Sequence, residues 1–311
     1  MIGDCNPDVL VLGDDVTPEF GQQEKLVDAV SLVIGGSAAI TAVAAARLGV
    51  SVALVAAVGA DPAGQFMLDQ LTREGVDVSA VAVRDGEPTG MTVALSNGAD
   101  RAILTALGAV ATLTPSDVPG DLLRQARHVH VSSYFLLAGS LGPGLPGLLA
   151  AARAGGVRTS LDTNWDPSGR WLDERLSAVL GQADLLLPNE AEAVRLGGAA
   201  DLAGAVRALA GTGLGLVVKR GPLGVLCAAG GRQWQVSVPP VIPVDSTGAG
   251  DCCNAGLIAG LLDGRALPEA AALGCAAGAL STQAAGGTAG CPDRSAAGAL
   301  AHRARVTVMS D

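Results

Sequence analysis

The chain is poor in aromatic residues: three tryptophans, three phenylalanines and one tyrosine in 311 positions. So few flat rings leave little material for a base-stacking surface. Basic side chains are also scarce, 20 Lys and Arg against 30 Asp and Glu, and a net charge of −10 disfavours nucleic acid and anionic membrane as partners. No apolar run has the length and continuity of a bilayer span. Met1-Ile2-Gly3-Asp4 lacks the basic-then-apolar pattern of a secretion signal. The six cysteines show no metal-ligand spacing, and adjacent Cys252 and Cys253 suit neither a zinc site nor a disulfide framework. Reduced thiols in a cytoplasmic protein are the simplest account. Two nucleotide motifs are missing as well. There is no G-x-x-x-x-G-K-[ST] phosphate loop, and no G-x-G-x-x-G opening a helix with an acid about twenty residues later.

What is present is apolar mass, 49% of the residues, ample for a sizeable core. From Ser51 onward, strand-like stretches (51–57, 78–83, 128–132, 157–162) alternate with helix-like ones (64–73, 145–154). Such alternation predicts an α/β fold, a mostly parallel sheet with helices on both faces and active-site residues beyond the carboxyl ends of the strands. Shorter strand-like runs at 9–12, 26–34, 90–95 and 101–105, punctuated by turns such as 13–15 and 97–100, surround a helix–strand–helix unit. No repeat, low-complexity segment or linker interrupts the chain, so residues 1–311 are expected to form a single domain. His128 and His130 alternate on one strand with no carboxylate or cysteine close in sequence, and read as structural histidines.

The most informative stretch is Asp245-Ser246-Thr247-Gly248-Ala249-Gly250-Asp251, ahead of an apolar run expected to be helical over 254–262. The glycines let the backbone turn sharply and direct successive N–H groups at one point, and a helix start behind them adds its positive end. That is an anion hole with one carboxylate, Asp251, at its mouth. The pairing suits a reaction in which a hydroxyl loses a proton while a phosphoryl group arrives. An Asp that merely caps a helix is the plain alternative.

The full string resembles the D-T-x-G-A-G-D signature of the ribokinase family, the phosphofructokinase-B-type carbohydrate kinases. The resemblance implies that Asp251 is the catalytic base and that Gly248, Ala249 and Gly250 supply anion-hole amides. Further segments match in the family's order, from Gly3 to about Pro292. Gly3-Asp4-Cys5-Asn6-Pro7-Asp8 resembles its G-x-x-N-x-D, which implies sugar contacts for Asn6 and Asp8. Only Met1 and Ile2 precede that glycine, which predicts either a truncated first strand or a start upstream of Met1. Gly35-Gly36, opening an Ala-rich helix that Leu48-Gly49 ends, resembles the first family signature, and its backbone would lie against the substrate. Ser37 stands where ribokinase-like members have Lys, and Ile40 where most have a sugar-contacting Asn; the sugar is therefore left open.

In the second half, Asn164 ends a strand where the family often has a residue near the nucleotide phosphates, while Ser132, Ser133 and Tyr134 share a substrate-facing region without a choice among them. Pro188-Asn189-Glu190-Ala191-Glu192 resembles the N-x-x-E motif, which implies that Asn189 and Glu192 orient magnesium through its water shell, although N-x-x-E is also a capping box. Lys219, Gly221 and Gly224 match K-x-G-x-x-G near ATP. Asp245 and Thr247, with backbone carbonyls, are candidates for a monovalent cation such as K+. The family's fold is a mostly parallel sheet flanked by helices with a small β-sheet lid, here at about 9–34 and 90–105, which closes over the sugar and often pairs two subunits. The resemblance thus implies an ATP- and Mg2+-dependent kinase acting on a primary hydroxyl of a small sugar, as a homodimer through the lid. The alternatives are a nucleoside kinase of the same family and a catalytically silent sugar-binding regulator. A phosphosugar acceptor is less favoured, since no Lys/Arg cluster lies near the sugar motifs.

Overall fold

Runs of Val, Leu, Ala and Ile become strands wherever they are short enough to cross a core once. The computed structural model describes residues 1–96 and 101–309. Its strands are β1 (Asn6–Leu12), β2 (Ala29–Gly35), β3 (Ala56–Gly59), β4 (Val81–Arg84), β5 (Met91–Ser96), β6 (Arg101–Ala106), β7 (His128–Val131), β8 (Arg158–Leu161), β9 (Leu185–Leu186), β10 (Gly215–Lys219), β11 (Val225–Ala229), β12 (Arg232–Ser237) and β13 (Arg305–Met309). Seven of them form one sheet in the order β13-β12-β11-β10-β9-β8-β7. Strands β7 to β10 run parallel, and β10 to β13 antiparallel. Beyond β7, Ile2 makes single parallel bridges to Val131 and Val55, and the parallel pair β3–β4 continues the layer. The first strand is thus reduced to the bridges at Ile2. The segment expected as a strand over 51–57 pairs regularly only from Ala56.

Helices cover this sheet on both faces, and the apolar side chains between the layers form the core. One cluster sets Val131, Leu161, Leu186, Leu216 and Val218 of the strands against Leu145, Leu149, Leu176 and Val206 of the helices. On the side that carries Asp251, helices Ala249–Leu262 and Leu267–Ser281 are apolar all round and buried for most of their length. They pack almost backbone to backbone: a Cβ on Gly256 would lie 2.8 Å from the Cα of Gly274. This close approach makes the first turn of Ala249–Leu262 a rigid platform.

The second sheet has the order β2-β1-β5-β6. Its register, Asp8 opposite Val33 and Thr92, and Thr92 opposite Thr105, places Asn6, Asp8, Thr92 and Thr105 on one face. Asn6 Nδ2 donates to Thr92 Oγ1 at 3.1 Å, and the Thr92 and Thr105 hydroxyls are 3.1 Å apart. The opposite face carries Val9, Val11, Val30, Leu32, Val93, Leu95 and Leu104, of which Val30, Leu32 and Leu104 are exposed. The turn read from 97–100 lies outside the described residues.

Candidate active site

Polar residues collect at the carboxyl ends of the parallel strands, where a doubly wound sheet leaves a crevice. Asp4 follows the Ile2 bridge, Ser133 follows β7, Asp162 and Asn164 follow β8, Asn189 follows β9, and Lys219 ends β10. The helix that carries Asp251 begins at Ala249, five residues earlier than its composition predicts. Gly248 caps it at φ 72°, a left-handed conformation suited to glycine, and a Cβ there would sit 2.6 Å from the carbonyl oxygen of Gly287. Asp251 therefore lies within the first helical turn. Ala249, expected to offer its amide to the anion hole, instead donates its N–H to Ser246 O at 3.2 Å, because the loop folds back on itself before the helix starts. Among the described residues the amides of Gly248, Gly250 and Asp251 have no backbone acceptor, so three N–H groups are left unpaired at this helix start.

Burial, and then the Asp162 carboxylate, push the Asp251 carboxyl well above the usual range; Asp4 adds to this, while Lys219 and the Ser37 hydroxyl oppose it. Behind Asp251 lies a buried charge network. Lys219 Nζ pairs with Asp162 Oδ2, and Asn254 Nδ2 donates to the same oxygen at 2.6 Å. Lys219 Nζ would lie 3.6 Å from a Cβ on Gly250, beside the turn that starts the Asp251 helix. Burial works against both charges, but each holds its partner ionised: Asp162 stays below its ordinary value and Lys219 above its own. Asp162 and Asn254 join the site although the sequence marks them only as a polar strand end and the first residue of the expected helix.

Asp4 accepts the N–H groups of Ser37 and Ala38, both at 3.0 Å, and so caps helix Ser37–Arg47. Burial raises its carboxyl, against these bonds and one from Ser133. Asn164 Nδ2 donates to Ser37 Oγ at 2.6 Å and to Ser133 Oγ at 3.0 Å. Ser133 and Asn164 both hold left-handed backbones, φ 58° and 55°, a strain that non-glycine residues keep where surrounding contacts over-determine them. Among the three residues left open after β7, Ser133 is the one whose hydroxyl meets the crevice residues. Gly35 and Gly36 are small because of what faces them: a Cβ on Gly35 would lie 1.9 Å from Asp8 Oδ1, and one on Gly36 would lie 3.2 Å from Asn6 Oδ1. Ile40 is buried and packs on the backbone of Gly287.

Asn189 and Glu192 form a reciprocal capping box on helix Glu190–Leu196: Asn189 Oδ1 accepts the Glu192 N–H at 2.9 Å and Glu192 Oε2 accepts the Asn189 N–H at 2.8 Å. Glu192 is buried, and burial with the nearby Asp162 pushes its carboxyl up to about 7, against Lys219 and the Asn189 bond. Asp245 Oδ1 accepts the Thr247 N–H and hydroxyl at 2.9 and 2.8 Å, and Oδ2 accepts the Gly286 N–H at 2.8 Å, tying the two loops that flank the turn. Gly221 starts a short turn after β10, while Gly224 abuts β12, where a Cβ would meet Val236 O at 2.1 Å. His128 and His130 both bond the Ser160 hydroxyl, at 2.7 and 2.8 Å, and burial keeps His130 neutral with its value lowered to about 3.

Unpaired amides beside a carboxylate of raised pKa, among polar side chains at the strand ends, are the groups a phosphoryl or acyl transfer uses. The chain belongs to the pfkB family of carbohydrate kinases, whose model matches residues 1–294. It is 33% identical to ribokinase of Haemophilus influenzae over 273 residues, 85% of each chain. It is 32% identical to fructokinase of Salmonella typhimurium over 298 residues, 90% of this chain and 95% of that protein. The structure of Arabidopsis thaliana ribokinase complexed with ribose and ATP superposes with a TM-score of 0.83 at 25% identity, covering 96% of this chain and 97% of that one. The fold is ribokinase-like, and the protein is a sugar kinase, a phosphotransferase with an alcohol group as acceptor.

Proposed function

We propose that the chain transfers the γ-phosphate of ATP to a primary hydroxyl of a small sugar, with Asp251 as the base. The observation that carries this reading is the juxtaposition of the Asp251 carboxylate with the free Gly248, Gly250 and Asp251 amides on one rigid helix start. A carboxylate made more basic by burial is suited to take a hydroxyl proton as the oxygen attacks. The amides then face the charge that develops on the transferring phosphoryl oxygens. Asn6 and Asp8, steadied by Thr92 and given room by Gly35 and Gly36, hold the sugar so that its hydroxyl lies in line.

The donor side fits nucleotide phosphates and a divalent ion. Asn164 and Lys219 are the side chains that would meet the phosphates, with Gly221 and Gly224 shaping the turn that follows β10. Three buried or half-buried carboxylates, Asp162, Glu192 and Asp251, share one lysine, and Asp4 adds a fourth negative group beside Asp251, so the site is short of positive charge. Glu192 and Asn189 would hold Mg2+ through its waters, since one Glu192 oxygen is already committed to the cap. When bound, the ion neutralises phosphate charge. A monovalent cation would rest on backbone carbonyls of the loops that Asp245 and Thr247 tie together.

The exposed apolar face of the lid, Val30, Leu32 and Leu104, supports pairing with a second copy. Leu32→Asp should then convert a dimer to a monomer by sedimentation; an unchanged mass in the variant would sink the pairing. The kinase reading is tested by ADP release with ATP, magnesium and a panel of ribose, fructose, 2-keto-3-deoxygluconate and adenosine. Asp251→Asn should lower turnover at least ~100-fold with nucleotide binding kept. Normal turnover in that variant would refute Asp251 as the base.

A further inference from the structure

Cys252 follows Asp251 directly, and its Sγ lies 2.9 Å from Sγ of Cys291, on the loop that begins at Gly286-Gly287. The two positions are 39 apart in sequence, and among the described residues no other two sulfurs make such a contact. Both sulfurs also approach the carbonyl oxygen of Gly287, at 3.9 and 3.6 Å. Arg47, paired with Glu74, donates to the carbonyls of Thr288 at 2.7 Å and Cys291 at 3.2 Å, which pins the loop beside the sulfurs.

We infer that Cys252 and Cys291 are an oxidation site, a dithiol that closes to a disulfide and thereby disturbs the anion-hole turn. A disulfide needs the sulfurs at about 2.05 Å, so the pair must close by roughly 1 Å. The two thiols are unequal. The Cys252 hydrogen bond and the Arg47 charge hold Cys291 below its ordinary value, while Cys252 is held well above its own by that bond and by burial. Cys291 is therefore the attacking thiolate and Cys252 the resolving thiol. With hydrogen peroxide as oxidant, the Cys291 sulfur takes one peroxide oxygen; the O–O bond breaks and hydroxide leaves. The Cys252 sulfur then attacks the Cys291 sulfenic acid, its proton leaves with the sulfenic oxygen as water, and the S–S bond forms. Two thiols and one peroxide give one disulfide and two waters, the sulfurs having lost two electrons. A dithiol reductant reverses the step by exchange.

Closure bears on the site because the same loop presses on it. Gly287 O sits where a Cβ on Gly248 would meet it, and the Gly286 N–H holds Asp245. Drawing Cys291 toward the helix moves this loop against the turn that carries the unpaired amides. The effect on turnover rests on the kinase reading; formation of the bond does not.

The full chain would be treated with excess hydrogen peroxide, blocked with an alkylating agent and mapped by mass spectrometry. ADP release and calorimetric binding of a non-hydrolysable ATP analogue would be measured before oxidation, after it, and after dithiothreitol. The expected result is a Cys252–Cys291 cross-linked peptide, at least a ~10-fold loss of turnover and weakened analogue binding, all restored by the dithiol. Cys291→Ser should keep the reduced protein's activity and resist peroxide. A missing cross-link, a cross-link through another cysteine, a cross-linked protein that binds and turns over normally, or equal inactivation of Cys291→Ser would overturn the inference. Should the reduced protein phosphorylate no acceptor, the kinase reading alone fails, and cross-linking with analogue binding still decides this one.

Discussion

Glu192 offers a quantitative test of how much the buried carboxylates cost. Glu192→Gln keeps the capping geometry, because a glutamine oxygen can still accept the Asn189 N–H, but it removes the titrating charge. Folding raises the Glu192 carboxyl from 4.5 to about 7, chiefly through burial and then through Asp162. At about 1.4 kcal/mol per pH unit, this is about 3 kcal/mol of differential proton binding. The folded chain holds this proton more tightly than the unfolded chain. Glu192's stabilising contribution is therefore fully present below pH 4.5 and is lost as pH rises through about 7. In metal-free buffer, the difference in melting temperature between Glu192→Gln and wild type should grow by about 5 °C in favour of the variant between pH 4.5 and pH 8. Adding magnesium and an ATP analogue at pH 8 should stabilise wild type more than the variant, since the ionised carboxylate then gains a counter-charge. A melting difference that stays constant across this pH range would refute the argument, because other buried carboxylates change both proteins alike.

Lys219→Met should destabilise the fold by about 3–5 kcal/mol in urea melts, because it leaves the Asp162 carboxylate buried without its cation. Lys219→Met combined with Asp162→Asn should recover most of that loss; a double variant as unstable as the single one would show that the pair is not the cause. Gly35→Ala places a methyl where the Asp8 carboxylate lies, at a backbone that alanine can adopt. It should raise the KM for the sugar at least ~10-fold and leave the KM for ATP unchanged in steady-state assays, and equal changes in both would count against a sugar role for Asp8.

The residues legible in the sequence are those whose chemistry is local to the chain. The turn at Gly248 to Asp251 carries its own glycines and carboxylate, and the Asn189–Glu192 spacing fits one helical turn, so both can be read without a fold. The helix start was harder. Gly250, Asp251 and the two cysteines after them are poor or middling helix formers, which predicts a later start, and burial of the whole helix against Leu267–Ser281 overrides that propensity. Asp162, Asn254, Ser133 and Thr92 were not legible, because each acquires its partner only when separate strand ends meet at one sheet edge or when two lid strands pair.

The departures from the family pattern at Ser37 and Ile40 show why a substitution cannot be interpreted at its own position alone. As a sequence change, Ser37 for Lys subtracts a cation from the pocket; in the structure its hydroxyl receives the Asn164 amide and bears on Asp251, so it joins Asn164 to that carboxylate. Ile40 for Asn removes a polar contact, but its side chain fills the space under Gly287 and so supports the loop that presses on Gly248. Ser37 therefore acts on the Asp251 carboxylate, and Ile40 on the loop behind Gly248. On the proposed reading, exchanging Ser37 to widen sugar specificity should move the pH dependence of turnover along with the KM, because its hydroxyl holds the Asp251 carboxyl lower than burial alone would.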